Sequence, residues 1–273
     1  MKRNAILVVA AALAITGGLA GMSIGAPVLR VGDHIIFRPL TEFYPFIHLY
    51  AEEPAELGAP DTPEIPFKSV GRRIATVKAT KGTEHNCFEL QIDGMEKHAY
   101  LTRTLPIDRE ALLSVALPIE EWQAAQKLVG ITLWRSVAGD EDTDELPHTK
   151  NLAKFFVIGV DLAGDLYNEP LKFTMKALDG KKGDWYGYLA DVSRLWYTKN
   201  PKSLHTNWSA RVWKSIENRE ALIGMTPEQA VFAWGRPENI NRSTGRWGVH
   251  EQWVYGMGCY LYFENGRLDA LDN

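Results

Sequence analysis

The stretch Thr226-Pro-Glu-Gln229 fixes where a helix must begin, and the residues after it fix what the chain can do next. The Thr226 hydroxyl is placed to accept from the Gln229 amide, and the Gln229 side chain can reach back to the Thr226 amide, forming a capping box. Pro227 takes the first helical position, where an N–H would have no intrahelical partner. Glu228 meets the positive end of the helix dipole. Ala230, Val231 and Trp234 supply an apolar stripe, Gly235 is expected to end the helix in the αL conformation, and Pro237 prevents continuation. Four strand-like runs follow. Asn239–Arg242 is the weakest, and Glu251–Tyr255, Cys259–Phe263 and Arg267–Leu271 are stronger. Asn265-Gly266 is the best type I′ hairpin signal in the chain. The pattern predicts a small packing module and offers no catalytic machinery.

Just upstream, Trp208 to about Arg219 reads as a second helix, with Trp208, Val212 and Ile216 on one stripe and Trp213 widening it. Together these residues carry a resemblance. Ile223-Gly-Met-Thr226, Glu228-Gln229, Trp234-Gly235-x-Pro237, Trp253-x-Tyr255 and Phe263-x-x-Gly266 resemble the SmpA/OmlA lipoprotein domain, the BamE-like domain of bacterial outer-membrane assembly factors. The likeness covers about residues 220–273. It implies a helical pair packed on a three-stranded antiparallel sheet, and protein binding in place of catalysis. Related tandem folds act as secreted enzyme inhibitors. The segment from Leu128 through Pro201 also looks like the SH3-like β module that precedes this domain in exported proteins. Two features depart from the assembly factors: about 200 residues precede the module, and the lipid-bearing Cys is missing.

The N-terminus explains the second departure. Lys2 and Arg3 precede an apolar run from Ala5 to about Ala20, a basic n-region followed by an h-region. Leu19-Ala-Gly-Met22 looks like a lipoprotein cleavage site with Met in place of the thiol. Residues 1–26 therefore read as a cleaved signal peptide, an uncleaved anchor, or a buried helix. The first two export residues 28–273 to the periplasm or the extracytoplasmic side of a membrane, with membrane association through residues 5–24. Export permits a disulfide between the two cysteines, Cys87 and Cys259, but two separate buried core residues are the expectation, because they lie in different modules about 170 residues apart.

The rest of the chain reads as short strands. The 273 residues are 45% hydrophobic and 11% aromatic, with nine Trp and ten Tyr, which favours a β-rich, binding-oriented protein. In 28–105, strands are expected at His34–Arg38, Arg73–Lys78, Cys87–Ile92 and His98–Thr102, with Asp93-Gly94 as a hairpin turn. Glu52 to Pro66, which includes Pro54, Pro60, Pro63 and Pro66, reads as an extended surface loop. Asp108–Ala116 is a short helix or a loop. Pro118–Lys127 predicts one to two helical turns. In 118–200 strands are expected at Leu128–Trp134, Phe155–Val160, Leu171–Ala177 and Trp185–Ala190, with Asp179-Gly180 as a turn. Five acids within Gly139–Glu145 predict a solvated loop, since it lacks the spacing of an EF-hand. Lys199–Lys202 reads as a linker, and the last module runs 204–273. The expected class is α+β and β-rich: two small SH3-like barrels or rolls, then a helix–helix–three-stranded sheet module.

Few residues stand out as a site. Tyr260 and Tyr262 alternate away from Cys259, Leu261 and Phe263, and one sheet face must cover the helices, so the other face carries rings that solvent does not require. Tyr260, Tyr262 and Trp247 are candidate partner anchors, or they pack on the preceding β module. Trp185 and Tyr188 are candidates for a peptide or glycan groove, or strand core. The seven His have no i, i+4 partner and no Cys/His spacing, so no metal is expected. No G-x-S-x-G, catalytic-Cys context or P-loop is present, and no cofactor is expected. The net charge of −4 and the lack of a basic stripe argue against nucleic acid. The leading expectation is a non-enzymatic envelope protein that binds envelope proteins. An envelope hydrolase accessory or peptidoglycan-binding protein, and a secreted enzyme inhibitor, are the alternatives.

Overall fold

The computed structural model of the chain describes residues 28–41, 47–54, 62–81, 86–103, 105, 107–136, 146, 150–164 and 169–272. The expected export segment, the acidic loop at 139–145 and residues 55–61 of the proline-rich loop lie outside them. The protein is β-rich α+β, and the described residues form sheets of six, five and four strands. It divides into two compact units. Unit 1 holds residues up to 130 with 158–174 and 184–190; unit 2 holds 131–157, 175–183 and 191–273.

Unit 1 contains the six-stranded antiparallel sheet. Its strands are β1 (His34–Phe37), β2 (His48–Tyr50), β3 (Ile74–Lys81), β4 (Cys87–Ile92), β5 (Ala99–Thr102) and β6 (Ala116–Pro118), in the order β2-β5-β4-β3-β1-β6. Asp93 and Gly94 turn after β4, with Gly94 at φ +78°, a conformation that costs glycine little. The period of two then sends Phe88, Leu90 and Ile92 to one side, where all three are fully buried. They meet Ile35, Phe37, Leu49, Val77 and Leu101 in one core. Each such side chain contributes about 1.5–3 kcal/mol by leaving water. Among the described residues this unit has the helices α1 (Phe67–Val70), α2 (Arg109–Val115) and α3 (Ile119–Gln126). The segment 108–116, open between helix and loop in sequence, is helical because Asp108 caps it, accepting from the Ala111 amide.

One polar residue lies at the centre of unit 1. Arg38 follows β1 and is completely buried. Its guanidinium donates to the carbonyls of Leu113 (3.1 Å) and Ser114 (3.0 Å), in the last turn of α2. It also donates to Ala163 (3.1 Å), Gly164 (2.8 Å) and Glu169 (3.4 Å). A planar, rigid set of donors suits such a gathering of carbonyls better than any other side chain.

The five-stranded sheet runs β10-β9-β8-β7-β11, from β7 (Thr132–Arg135), β8 (Lys154–Leu162), β9 (Leu171–Ala177), β10 (Lys182–Gly187) and β11 (Trp196–Tyr197). Three boundaries differ from expectation. β7 starts at Thr132, not Leu128, because Leu128 and Val129 donate back to Ala125 and Gln126 and prolong the turn of α3. The strand expected at Trp185–Ala190 runs 182–187 instead. The turn at Asp179-Gly180 closes with Ala177 donating and Lys181 accepting, so pairing begins at once. The residues beyond form helix α4 (Leu189–Leu195), which buries Leu189 and Val192 three positions apart. The expected linker at 199–202 becomes a one-turn helix, α5 (Pro201–Leu204), capped by Asn200.

The C-terminal module belongs to unit 2. Helix α6 (Ala210–Glu217) is capped by Ser209, and helix α7 (Pro227–Trp234) by both bonds of the Thr226–Gln229 box. Gly235 has the positive φ expected of it, +85°, but its ψ of −170° is extended and not αL. The chain leaves α7 straight into the sheet, where the Glu238 amide donates to the Val254 carbonyl. The sheet has four strands in sequence order, not the three the resemblance implies: β12 (Asn239–Gly245), β13 (Gly248–Val254), β14 (Tyr260–Glu264) and β15 (Arg267–Asp272). The extra strand is the run that read weakest. It has no apolar alternation because it is an exposed edge, yet it pairs with β13 over seven positions. Asn265 (φ +48°) and Gly266 (φ +75°) make the two-residue turn between β14 and β15. Trp253, Leu261, Phe263 and Leu268 face the helices and pack with Trp213, Ile216, Met225, Ala230 and Phe232. Asn151, also buried, donates to the carbonyls of Ile216 (3.0 Å) and Phe232 (2.6 Å), tying both helices to the segment before β8.

Cys87 and Cys259 are free thiols. Burial pushes the Cys87 thiol up to about 11, so it is no nucleophile at neutral pH.

Candidate functional site

Strand alternation and the register of the C-terminal sheet decide its outward face. Trp253 pairs with Leu261, and Glu251 with Phe263, so these residues share the helix side. Gln252, opposite Asn241 and Tyr262, falls on the other side with His250, Tyr260 and Glu264. Four side chains on this face, Asn241, Gln252, Tyr262 and Asp272, join in a ladder that spans all four strands. Asn241 Nδ2 donates to Gln252 Oε1 (3.1 Å), Gln252 Nε2 donates to the Tyr262 hydroxyl (3.4 Å), and that hydroxyl donates to Asp272 Oδ2 (3.2 Å). Every donor points the same way, toward the carboxylate, so each bond polarises the next. Tyr260 stands beside Tyr262 with ring centroids 6.2 Å apart.

This face has a shallow hollow of about 360 Å³ whose lining includes Asn241, Arg242, His250, Gln252, Tyr262 and Glu264. His250 Nδ1 lies 3.3 Å from Glu264. His250 Nε2 is buried and has no hydrogen-bond partner among the described residues. The strand positions that share this face carry Glu264 and Asp272, with Arg267 opposite Glu264.

Of the five candidate residues, the sheet brings together two. Tyr260 and Tyr262 are adjacent and half-buried. Trp247 sits in the turn between β12 and β13, 67% exposed. Trp185 and Tyr188 belong to unit 1. Trp185 is only 2% exposed and packs on Phe173 at 4.9 Å, so it is strand core and not a groove anchor. Its place on β10 points the ring inward. Tyr188 is half-buried beyond the end of that strand.

A second polar cluster, in unit 1, escaped the sequence reading. Glu89 accepts from His98 Nδ1 and pairs with Lys81 (3.2 Å), and Lys81 also pairs with Glu53. The Lys81 ammonium lies 5.3 Å from the centre of the Tyr100 ring. The hydrogen bond from His98, with that from Lys81, holds the Glu89 carboxyl below its ordinary range, while burial and the Glu89 charge raise the Tyr100 phenol. Cross-strand pairing explains the cluster: Glu89 lies opposite Tyr100, and Lys81 opposite Cys87. The Asp93-Gly94 turn held that signal, but its register had to be known before Glu89 and His98 could be placed side by side. Chemically the cluster is a network of mutually neutralising charges on a sheet face, beside the Cys87 thiol that burial keeps protonated. Among the described residues no group of three or more His, Cys, Asp or Glu is placed to hold a metal ion.

No family model matches the chain, and no curated protein matches it.

Proposed function

We propose that this chain is an exported, non-enzymatic protein of the cell envelope that acts by binding another envelope protein through the outward face of its C-terminal sheet. The observation that carries the proposal is the ladder Asn241–Gln252–Tyr262–Asp272. It holds polar groups and one aromatic ring in fixed positions on an otherwise solvent-facing sheet. Pre-ordered side chains lose little rotamer freedom on association, and a few aromatic anchors supply most of the affinity of a protein contact. Trp247 at the rim extends the face. Export rests on the basic and apolar residues 2–20. In the same reading the β modules of 28–105 and 118–200 are SH3-like rolls, and 204–273 is a BamE-like module with one added edge strand.

The test compares partner recovery from cells by the intact chain, by Tyr262→Ala and by Trp247→Ala. Each truncation removes an anchor worth about 2 kcal/mol and is expected to weaken binding about thirtyfold. Binding by Tyr262→Ala equal to that of the intact chain would overturn the assignment of this face.

A further inference from the structure

The two edges of the C-terminal sheet are built differently. β15 departs from regular pairing with β14 at a bulge by Tyr262/Phe263, and it carries Arg267, Asp269 and Asp272. Bulges and charges are the ordinary means by which a sheet edge is closed to further strands. β12 has neither a bulge nor a proline, and all but its last residue are exposed. It presents a regular strand edge ready to accept another. The sequence along that edge is self-complementary. Around Ile240 it reads Glu238-Asn239-Ile240-Asn241-Arg242, with like residues one position away on each side and opposite charges two positions away.

We infer that a second copy of this chain occupies the β12 edge, antiparallel, with Ile240 opposite Ile240 of the copy. A two-fold axis between paired residues makes such a contact close on itself as a dimer. In this register Asn239 faces Asn241 of the copy, twice, and Glu238 faces Arg242 of the copy, twice. Ile240 and Arg242 lie on one face of β12, and Glu238, just before the strand, reaches Arg242 of the copy beside the apolar contact through its flexible side chain. Ile240, 46% exposed in the single chain, would be covered by its counterpart. Arg242 is already steadied by Glu251, which accepts from its Nε at 2.6 Å and pairs with its Nη2, and its Nη1 side is turned to a second carboxylate. Moving the register by two residues toward the C-terminus would set Asn241 opposite itself and Ile240 opposite Arg242, losing both the apolar pair and the charge pairs. The backbone could receive any strand; the side chains favour this one. The dimer would join two four-stranded sheets into one of eight and set two copies of the Tyr262 ladder on a continuous face.

The experiment uses the full chain carrying Cys259→Ser. Ile240→Cys is compared with Thr244→Cys under mild oxidation. Directly opposed antiparallel residues lie about 4.5–5.5 Å apart at Cα, within disulfide reach. Position 244 would be about 27 Å from its counterpart at ~3.4 Å per residue over eight residues. Rapid, covalent dimer from Ile240→Cys and none from Thr244→Cys is expected. Sedimentation of the same chain without added cysteines should show a monomer–dimer equilibrium that Glu238→Lys weakens about tenfold, with near-ultraviolet circular dichroism unchanged. A monomer at every concentration, or a dimer in which Thr244→Cys crosslinks as fast as Ile240→Cys, would overturn the inference. Neither result bears on the outward face, whose test is partner recovery by Tyr262→Ala.

Discussion

Replacing Arg38 with Met lowers the stability of unit 1 by about 4 kcal/mol. The side chain is wholly buried and donates to five main-chain carbonyls. Two of these, Leu113 and Ser114, belong to the last turn of α2, whose carbonyls have no partner within the helix. A cation there also meets the negative end of the helix dipole. Methionine fills part of the volume and satisfies none of the acceptors. Each buried acceptor left dry costs about 1–3 kcal/mol, and some of them will find water or relax, so the total falls short of the sum. Lysine keeps the charge but offers three donors on a point charge, and should recover about half of the loss. Hydrogen exchange at the amides of Phe37 and Arg38, which bond to Arg73 and Val115, reads the effect locally. Exchange about a thousandfold faster in the Met variant is expected, corresponding to 4 kcal/mol at about 1.4 kcal/mol per decade. A change under tenfold would mean that Arg38 is not what gathers these segments.

Truncation of Trp253 to Ala costs unit 2 about 4 kcal/mol, in the range for large buried aromatics. The indole is nearly buried and packs on Phe263 with centroids 4.6 Å apart. Its Nε1 donates to Glu251 Oε2 at 3.1 Å, and Glu251 in turn receives Arg242 from β12. The substitution therefore opens a cavity under β13 and β14 and frees the carboxylate that holds the edge strand. Trp253→Phe keeps most of the packing and loses only the N–H bond, and should cost about 1–2 kcal/mol. Thermal unfolding of the two variants gives the comparison. Equal midpoints would place Trp253 outside the core. The outward ladder rests on the strands that Trp253 supports, so the Ala variant should also lose partner binding, whereas Tyr262→Ala should lose binding without loss of stability.

The sequence made some of these features legible because their causes are local. The α7 start was readable from Thr226, Pro227 and Gln229, since a cap is a contact over three residues. The β14–β15 turn was readable from Asn265-Gly266, since only a few residues adopt two positive φ angles in succession. The direction of Tyr260 and Tyr262 followed from period two once Leu261 and Phe263 were assigned to the core. What was hidden depends on contacts distant in sequence. Nothing near Arg38 indicates that carbonyls 75 and 125 residues away will gather on it. Asn151 looks like any loop asparagine until helices α6 and α7 close over it. The edge strand β12 has no apolar alternation, so hydrophobic periodicity underrates it. The helix α4 was missed because Trp185–Ala190 is rich in aromatic residues, which favour strands, while the stripe Leu189–Val192 that makes it helical begins only at the end of that run. The site itself was half legible: the rings could be placed on a face, but the ladder that holds Tyr262 needed the registers of three strand pairs.

In the proposed function, a protein covers the outward face of the C-terminal sheet in the envelope. Hydroxyl-radical footprinting reads it most directly, with the chain labelled once in intact cells that produce it and once after purification. Tyr260, Tyr262 and Trp247 should react at least several times more slowly in cells, while Leu178, exposed on a turn in the other β region, should react equally in both. Equal labelling of Tyr262 in the two settings would contradict the account.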